Sequence, residues 1–199
     1  KKPIFEENTF PFDKDGRAFI IKFFDYDNPD NNSFVVTNQW VYPQARGGKR
    51  LDIVLLINGF PVSIGEMKTP FRPAISWMDG ASDILDYEKS IPEMFVTNIF
   101  NFATEGKCFR YGAINAPVTL WGPWYSNIPH EEGDMPKVQK AIASITKKEV
   151  ILDLFRYFTL FSTDKHNRKI KIVCRYQQYE GANLIVDRVK AGYPKKGLI

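Results

Sequence analysis

The stretch that most constrains the fold is an apolar hairpin, LDIVLLINGFPVSIGEMK, at residues 51–68. Asn58-Gly59 is a signal for a two-residue hairpin turn, and the flanking runs are apolar on both faces, as in strands buried inside a sheet. Three charged residues nevertheless stand at the open end of the hairpin: Asp52, Glu66 and Lys68. Charges in a buried sheet are costly unless they are paired or bind a metal. These three residues are therefore candidates for a site.

The register of the hairpin decides whether the three charges meet. Glu66 and Lys68 are two residues apart, so they share one face of their strand. A regular two-residue turn would pair Asp52 with Gly65 and turn Asp52 to the other face. A loop of odd length, or one β-bulge, would bring all three charges onto one face. In that register the charged face continues with Val54, Leu56, Val62 and Ile64, and the reverse face carries Leu51, Ile53 and Leu55.

Two carboxylates in that arrangement could share a magnesium ion. The Cβ atoms of Asp52 and Glu66 would lie roughly 5 Å apart, and Mg²⁺ binds one or two carboxylates together with waters and phosphate oxygens. A metal-activated water could attack phosphorus, while Lys68 offsets charge in the transition state. This chemistry is phosphodiester hydrolysis. The alternative is an ordinary ion cluster at a sheet edge, because a Glu-x-Lys pair alone occurs by chance in most proteins.

Composition narrows the class of protein. The 199 residues are 44% hydrophobic, which is typical of one globular domain, and the net charge of +4 permits DNA as a partner without requiring it. The two cysteines, Cys108 and Cys174, are distant in sequence and form neither a disulfide framework nor a zinc pattern, which indicates a reducing cytoplasm. No apolar run is long enough to span a membrane. The only histidines, His130 and His166, lie in predicted loops, which disfavours a His-based triad or zinc site. The chain starts without methionine, so we expect a fragment of a longer protein.

Periodicity and turn residues predict the remaining elements. Apolar stripes predict helices at 73–91, where Gly80 weakens the pattern, and after the capping-box sequence TKKE at 146–149, with one apolar face reaching from Val150 to Phe161. A third helix is predicted at 176–189. Strands are predicted, besides the hairpin, at 17–25, 33–42, 93–99, 107–112, 118–122 and 169–174, and a loop at 123–135.

The order of these motifs resembles a known family. Asp52 followed by Glu66-Met67-Lys68 resembles the PD-(D/E)xK nucleases, with Leu51 in place of the usual proline. The segment GKRLDIVLLINGFPV at 48–62 is similar to the nuclease segment of the motor/restriction subunit of type I restriction-modification enzymes. DYDNPDNN at 25–32, NQW at 38–40, SIPEMF at 90–95 and RYQQY at 175–179 resemble other parts of that subunit. The resemblance extends from about residue 17 to the end.

The resemblance implies an α/β fold: a restriction-endonuclease-like mixed sheet flanked by helices, with a helical C-terminal extension. It implies a nuclease core at 1–125, a helical linker packing on the core at 126–168, and at 169–199 the lead-in to a helicase motor outside this chain. The implied activity is Mg²⁺-dependent cleavage of double-stranded DNA, coupled to translocation by that motor, which would bind ATP. The implied partners are DNA and the methyltransferase and specificity subunits.

The resemblance also assigns roles to residues. Asp52, Glu66, Lys68 and Tyr87 would be catalytic, with both carboxylates binding the metal. A Gln-x-x-x-Tyr motif supports the family's site, and Tyr87 matches its tyrosine, whereas Asp83 replaces the glutamine. The alternative for Tyr87 is a half-buried aromatic residue.

Gln178 matches a segment that helps the family motor to recognise adenine. The phosphate loop G-x-x-x-x-G-K-[ST] is absent from the sequence, so the alternative is that Gln178 is idle in this chain.

Other residues are candidates for nucleic-acid contacts. Arg46, Lys49 and Arg50 beside the hairpin could clamp phosphates, and the alternative is a solvated basic loop. Trp121 and Trp124 could stack on bases, although their Gly-Pro surroundings favour packing within the protein. Two rival functions remain: a non-cutting module that docks the motor onto the methyltransferase, and a standalone DNA-repair nuclease. The Asp-Glu-Lys set disfavours the first, and the segment 169–199 disfavours the second.

Overall fold

The computed structural model describes residues 8–43, 48–125, 134–165, 167, 169–194 and 196. Its strands are β1 (Thr9–Lys14), β2 (Arg17–Lys22), β3 (Phe34–Tyr42), β4 (Lys49–Ile57), β5 (Phe60–Met67), β6 (Phe100–Thr104), β7 (Phe109–Gly112), β8 (Thr159–Thr163) and β9 (Lys169–Val173). Its helices are α1 (Trp77–Ser90), α2 (Asp134–Ile145), α3 (Lys148–Tyr157) and α4 (Tyr176–Ala191).

A mixed five-stranded sheet forms the centre of the fold, in the order β3-β4-β5-β6-β7. Strands β5 and β6 run parallel, whereas the other neighbours are antiparallel. The parallel pair needs a crossover connection, which contains α1. The ends of β5 and β6 therefore meet at one edge of the sheet, where β4 begins. The predicted α/β fold, a mixed sheet flanked by helices with a C-terminal helix, is confirmed.

Each face of the sheet is covered by its own apolar cluster. The first cluster joins the sheet to α1 and includes Val54, Ile64, Ala81 and Ile84. The second joins the opposite face to α2, α3 and the start of α4, and includes Leu55, Val62, Phe100, Phe102, Ile145, Leu154, Phe155 and Tyr176. Burial on both faces explains why the hairpin reads as apolar throughout.

The hairpin contains the bulge that would bring its charges together. Ile57 pairs with Phe60 across the Asn-Gly turn, but the register then shifts, so that Leu55 pairs with Ser63 and Ile53 with Gly65. The extra residue on β5 is Val62. The shift places Asp52 next to Glu66 at the open end of the hairpin, the arrangement that a regular turn would have prevented.

The same bulge corrects one part of the predicted pattern. Val62 packs in the second cluster with Leu55, not on the face of Val54, because the inserted residue breaks the alternation of β5. Leu51 is also on the unexpected side and packs with Val54 in the first cluster. It lies beside an irregular point of the ladder, where Gln39 of β3 has a φ of +52°.

Helix α1 begins at Trp77, four residues later than predicted. Ser76 caps it: its Oγ accepts a hydrogen bond from the Met78 backbone N–H (3.2 Å), and the Asp79 carboxylate accepts one from the Ser76 N–H (2.7 Å). Gly80, which weakens the helical pattern, is buried against the sheet. A Cβ at this position would lie 3.2 Å from Glu66 Cβ, so the glycine allows close approach of α1 to β5.

Two predicted strands were wrong. The predicted strand at 93–99 overlaps the 3₁₀ helix Pro92–Phe95, and the strand β6, which was not predicted, begins after it. The predicted strand at 118–122 contains the 3₁₀ helix Val118–Leu120. Both stretches are apolar because they are packed, and a short apolar run does not distinguish a strand from another buried segment. The predicted strand at 107–112 narrows to β7.

The predicted capping box at 146–149 was also wrong. Helix α3 begins at Lys148, and among the described residues no side chain caps it. Thr146 instead donates from Oγ1 to the Ile142 carbonyl oxygen (2.7 Å) in the last turn of α2. Phe161 lies in β8 and not on the helix, since α3 ends at Tyr157.

The remaining differences concern short elements at both ends. Strand β1, which forms a hairpin with β2, and strand β8, which forms one with β9, were not predicted. Helix α2 starts inside the predicted loop 123–135, of which 126–133 lie outside the described residues.

Trp121 and Trp124 are 5% and 3% exposed, so both pack in the interior. Within the described ranges, no helix is both long enough and apolar enough to cross a membrane.

Candidate active site

The two candidate metal ligands meet where β4 begins and β5 ends. The Asp52 backbone N–H donates to Glu66 Oε1 (3.3 Å), and the Met67 backbone N–H donates to Asp52 Oδ2 (3.0 Å). Each carboxylate is thus tied to the backbone of the opposite strand. Glu66 is only 3% exposed, whereas Asp52 is half-buried. The pair therefore forms a buried acidic site with one more accessible side.

Lys68 connects this pair to α1. Its Nζ lies 3.7 Å from Glu66 Oε2 and also forms an ion pair with Asp83 Oδ2. Asp83 faces the sheet from the middle of α1, and its side chain is 46% exposed. The structure therefore brings Asp52, Glu66 and Lys68 together, and it adds Asp83 as a fourth charged group.

The electrostatics of the site centre on Glu66. Burial, followed by the nearby charge of Asp52, raises the pKa of Glu66 to about 7, although the Asp52 N–H, Lys68 and Tyr87 act in the opposite direction. Burial alone would lower the pKa of Lys68, but the hydrogen bond and charge of Asp83, helped by Glu66 and Asp52, raise it. The protein's own groups thus leave the Glu66 carboxylate under-compensated.

Tyr87 and Lys49 join α1 to the start of β4. The Tyr87 hydroxyl donates to the Arg50 carbonyl oxygen (3.3 Å), and burial, with the charge of Glu66, raises the pKa of Tyr87. Lys49 Nζ lies 2.6 Å from Asp86 Oδ2 and 5.9 Å from the centre of the Tyr87 ring. Tyr87 therefore lies at the site, and Lys49 is paired with an acidic residue of α1. The Arg50 side chain is exposed.

Gln39 of β3 is a site residue that the sequence analysis did not identify. Its Nε2 donates to Asp52 Oδ1 (3.1 Å). The contact joins residues 13 positions apart, so only the pairing of β3 with β4 reveals it. The one signal in the sequence was the place of Gln39 within the NQW stretch at 38–40, which is part of the family resemblance.

The site residues fit a magnesium ion. Two adjacent carboxylates, one of them buried with a raised pKa, form a donor set whose charge a cation would balance. In the described part of the chain, no group of three or more His, Cys, Asp or Glu residues could hold a metal. The set therefore does not suit a closed site with four protein ligands. It suits Mg²⁺, which commonly takes one or two carboxylates and completes its shell with waters and substrate phosphate.

The remaining candidates lie elsewhere or outside the described residues. Gln178 is exposed and accepts a hydrogen bond from the Arg175 N–H at its Oε1 (2.8 Å), where it caps α4. It also lines a cavity of about 680 Å³ between β7 and β9. Nucleotide binding by Gln178 stays a prediction. Arg46, His130 and His166 are not among the residues that the structure describes.

Comparison with known proteins identifies the family of this chain. The family model described as "Type I restriction enzyme R protein N terminus (HSDR_N)" matches residues 6–118, more than half of the chain. The chain belongs to this family, and the resemblance to the nuclease domain of the restriction subunit is confirmed.

Curated relatives agree with this family. The chain is 29% identical over 185 residues to the "Type I restriction enzyme HindI endonuclease subunit" of Haemophilus influenzae, covering 89% of the chain and 17% of that relative. It is 28% identical to the "Putative type I restriction enzyme MjaVIIIP endonuclease subunit" and 29% identical to the corresponding MjaVIIP protein, both of Methanocaldococcus jannaschii, covering 90% and 89% of the chain. The chain spans 17–18% of the length of these relatives.

Proposed function

We propose that this chain is the Mg²⁺-dependent nuclease domain of a type I restriction enzyme R subunit and cleaves double-stranded DNA. The observation that carries the proposal is the buried Glu66 carboxylate beside Asp52, with the Lys68 ammonium 3.7 Å away. A structural ion cluster would be expected to balance its charges. Here burial and repulsion leave Glu66 with a pKa of about 7, as expected for a site that awaits a cation.

Each residue has a distinct part in the proposed reaction. Asp52 and Glu66 would hold the ion, which would supply Lewis-acid polarisation of a phosphate oxygen. Lys68 donates hydrogen bonds to a non-bridging phosphate oxygen and offsets the negative charge that develops during hydrolysis. The Tyr87 hydroxyl, which donates to the Arg50 carbonyl oxygen and lies near enough to Glu66 to lower its pKa, would turn to donate to the ionised Glu66 carboxylate and orient it.

The larger setting belongs to the same proposal. Lys49 and Arg50 contact DNA phosphates at the rim of the site, and the methyltransferase and specificity subunits are the protein partners. Residues 1–125 form the nuclease core, 126–168 a linker and 169–199 the lead-in to a motor that binds ATP and drives translocation. The match of the family model to residues 6–118 supports the extent of the core.

One observation favours a second candidate function. The ion pair of Lys68 with Asp83 engages the proposed catalytic ammonium within the protein itself. A catalytically silent module that docks the motor onto the methyltransferase would need no free lysine, and this pair would then be purely structural.

Metal-dependent stability separates the two functions. Excess Mg²⁺ or Mn²⁺ should stabilise the chain by about 1–3 kcal/mol, as a ligand specific to the folded state does at 10 to 100 times its Kd. Asp52→Asn and Glu66→Gln should lose this gain, which thermal melts with and without chelator will measure. Asp86→Asn, which removes an α1 carboxylate beside the site, is the matched control and should retain it.

DNA cleavage by the longer subunit tests the reaction itself. Asp52→Ala, Glu66→Ala and Lys68→Ala should each abolish cleavage, while ATP hydrolysis continues because the motor lies outside this chain. A variant that cuts at the wild-type rate would refute the role of that residue. Metal-independent melting together with wild-type cleavage by all three variants would support the docking function.

A further inference from the structure

We propose that Gln39 is a positioning residue for the carboxylate of Asp52, and this role rests on the proposed nuclease function. The Gln39 amide donates from Nε2 to Asp52 Oδ1 (3.1 Å), while the Met67 backbone N–H donates to Asp52 Oδ2 (3.0 Å). One donor comes from β3 and the other from β5. The carboxylate is therefore held from both neighbouring strands at once.

The backbone of Gln39 supports a dedicated role. Its φ is +52°, in the left-handed region that side chains other than Asn and Asp rarely adopt. The other described non-glycine residues with positive φ are all Asn or Asp: Asn8, Asp15, Asn58, Asn115 and Asn167. Gln39 lacks their local preference and lies inside a strand, where such a backbone persists only if its surroundings require it.

The register of β3 with β4 is interrupted where Gln39 has its positive φ. The described register pairs Asn38 with Ile53 and Trp40 with Leu51, but it passes over Gln39 and Asp52. The register is the same on both sides of this gap, and the side-chain hydrogen bond from Gln39 to Asp52 lies within it. The departure from the ladder occurs directly opposite the proposed metal ligand.

The chemical consequence is a fixed orientation of Asp52. Each oxygen of an ionised carboxylate has further acceptor capacity beyond one hydrogen bond, so both oxygens can be oriented and still bind a cation. Without the amide, the terminal torsion of Asp52, which is broad in aspartate, is restrained only through Oδ2. Partners that orient metal ligands commonly contribute 10- to 100-fold to metal affinity.

Titration calorimetry of the 199-residue chain with Mn²⁺ tests this role. Gln39→Gly removes the amide and relaxes the backbone, whereas Gln39→Met removes the amide and keeps the length of the side chain. Both should weaken Mn²⁺ binding by about 10-fold or more. Asn38→Gly, at the exposed neighbouring position, is the matched control and should bind Mn²⁺ within about twofold of the wild type, since its side chain does not reach Asp52.

Thermal melts in chelator separate positioning from a merely structural role. Gln39→Gly should melt at or above the wild-type temperature, because glycine adopts positive φ without strain, and Asn38→Gly should melt below it. A positioning role thus predicts that Gln39→Gly binds Mn²⁺ more weakly than Asn38→Gly although it is the more stable of the two variants. A defect in folding cannot produce this combination.

The outcomes distinguish this inference from the function on which it rests. Wild-type Mn²⁺ affinity in either Gln39 variant would overturn the role of the amide and leave the metal site intact. Absence of Mn²⁺ binding by the wild-type chain would overturn the metal site, and the role of Gln39 with it.

Discussion

At the scale of single residues, the site is governed by a carboxylate that the protein does not fully neutralise. Glu66 is buried next to Asp52, and the groups that oppose this repulsion are Lys68, Tyr87 and one backbone N–H. Lys68 is itself shared with Asp83. Small changes in charge at these positions should therefore change both stability and ligand binding.

Replacing Glu66 should alter the pH dependence of stability. The folded-state pKa of about 7 lies above the ordinary value of 4.5. The folded state therefore binds the Glu66 proton more tightly than the unfolded state does. The resulting contribution to the free energy of unfolding is full below about pH 4.5 and is lost as the pH rises through 7. In chelator, Glu66→Gln should remove this loss, which amounts to at most about 3 kcal/mol between pH 5 and pH 8. Urea unfolding at both pH values is the measurement.

The control for this pH effect is Glu93→Gln, which changes an exposed carboxylate and should keep the wild-type slope. Glu88 is a second buried carboxyl whose pKa burial raises to about 7, so some slope should remain in every variant. An unchanged slope in Glu66→Gln would show that Glu66 does not titrate in this range.

Asp83 should weaken DNA binding by engaging Lys68. Asp83→Gln introduces the glutamine that the resemblance implies at this position, removes one negative charge and frees the Lys68 ammonium for phosphate. A partly exposed ion pair is worth up to about 1 kcal/mol, so we expect duplex DNA to bind about 2- to 5-fold more tightly at low salt. Fluorescence anisotropy with a labelled duplex measures this change. Asp30→Asn, which breaks the exposed Lys148–Asp30 pair, is the control, and equal affinities for both variants would contradict the prediction.

At the scale of elements, α1 is the helix that completes the site. It crosses between the parallel strands β5 and β6, and it brings Asp86 and Tyr87 to the start of β4 and Asp83 to Lys68, just after β5. Gly80, one turn before Asp83, allows the short distance between α1 and the sheet, because a Cβ there would lie 3.2 Å from Glu66 Cβ and 3.3 Å from Ala103 Cβ.

Gly80→Ala should therefore not give the stability that the higher helix propensity of alanine would predict. Alanine in a helix is favoured by about 1 kcal/mol over glycine, but here it would crowd Glu66 and push α1 away from the sheet. We expect no net stabilisation and weaker Mn²⁺ binding, measured by urea unfolding and calorimetry. Ser82→Ala on the exposed side of α1 is the control and should be neutral or slightly stabilising. A full propensity gain in Gly80→Ala with unchanged Mn²⁺ affinity would contradict the close packing.

At the scale of the whole molecule, the sheet and its two apolar clusters form a scaffold for the proposed nuclease site, whereas the C-terminal elements carry the proposed lead-in to the motor. The cavity of about 680 Å³ near Gln178 is the place where nucleotide binding would be sought. The chain has no phosphate loop in its sequence, and most affinity for a nucleotide comes from phosphate contacts.

The chain should therefore not bind ATP tightly. The Gln178 amide oxygen already caps α4, and one further hydrogen bond contributes only about 1 kcal/mol, compared with the roughly 8 kcal/mol of micromolar binding. Calorimetric titration with ATP and Mg²⁺ should show no binding in the micromolar range. A Kd at or below micromolar would show a nucleotide site in this chain.

The sequence by itself determined those features that depend on local pattern. The Asn-Gly turn, the two apolar strands, the stripe of α1 and the three charges of the hairpin are all visible in it, because period and turn chemistry act between neighbouring residues. Short apolar stretches such as 93–99 were wrongly predicted as strands. An apolar run shows that a segment is buried, but it does not specify the conformation of its backbone.

Only the tertiary structure decided how the charges meet. The sequence left open whether a bulge exists, and the structure places it at Val62, which brings Asp52 beside Glu66. The contacts of Gln39 with Asp52 and of Asp83 with Lys68 join residues 13 and 15 positions apart on separate elements. Register and helix placement are set by the packing of the whole sheet, so no local pattern in the sequence encodes these contacts.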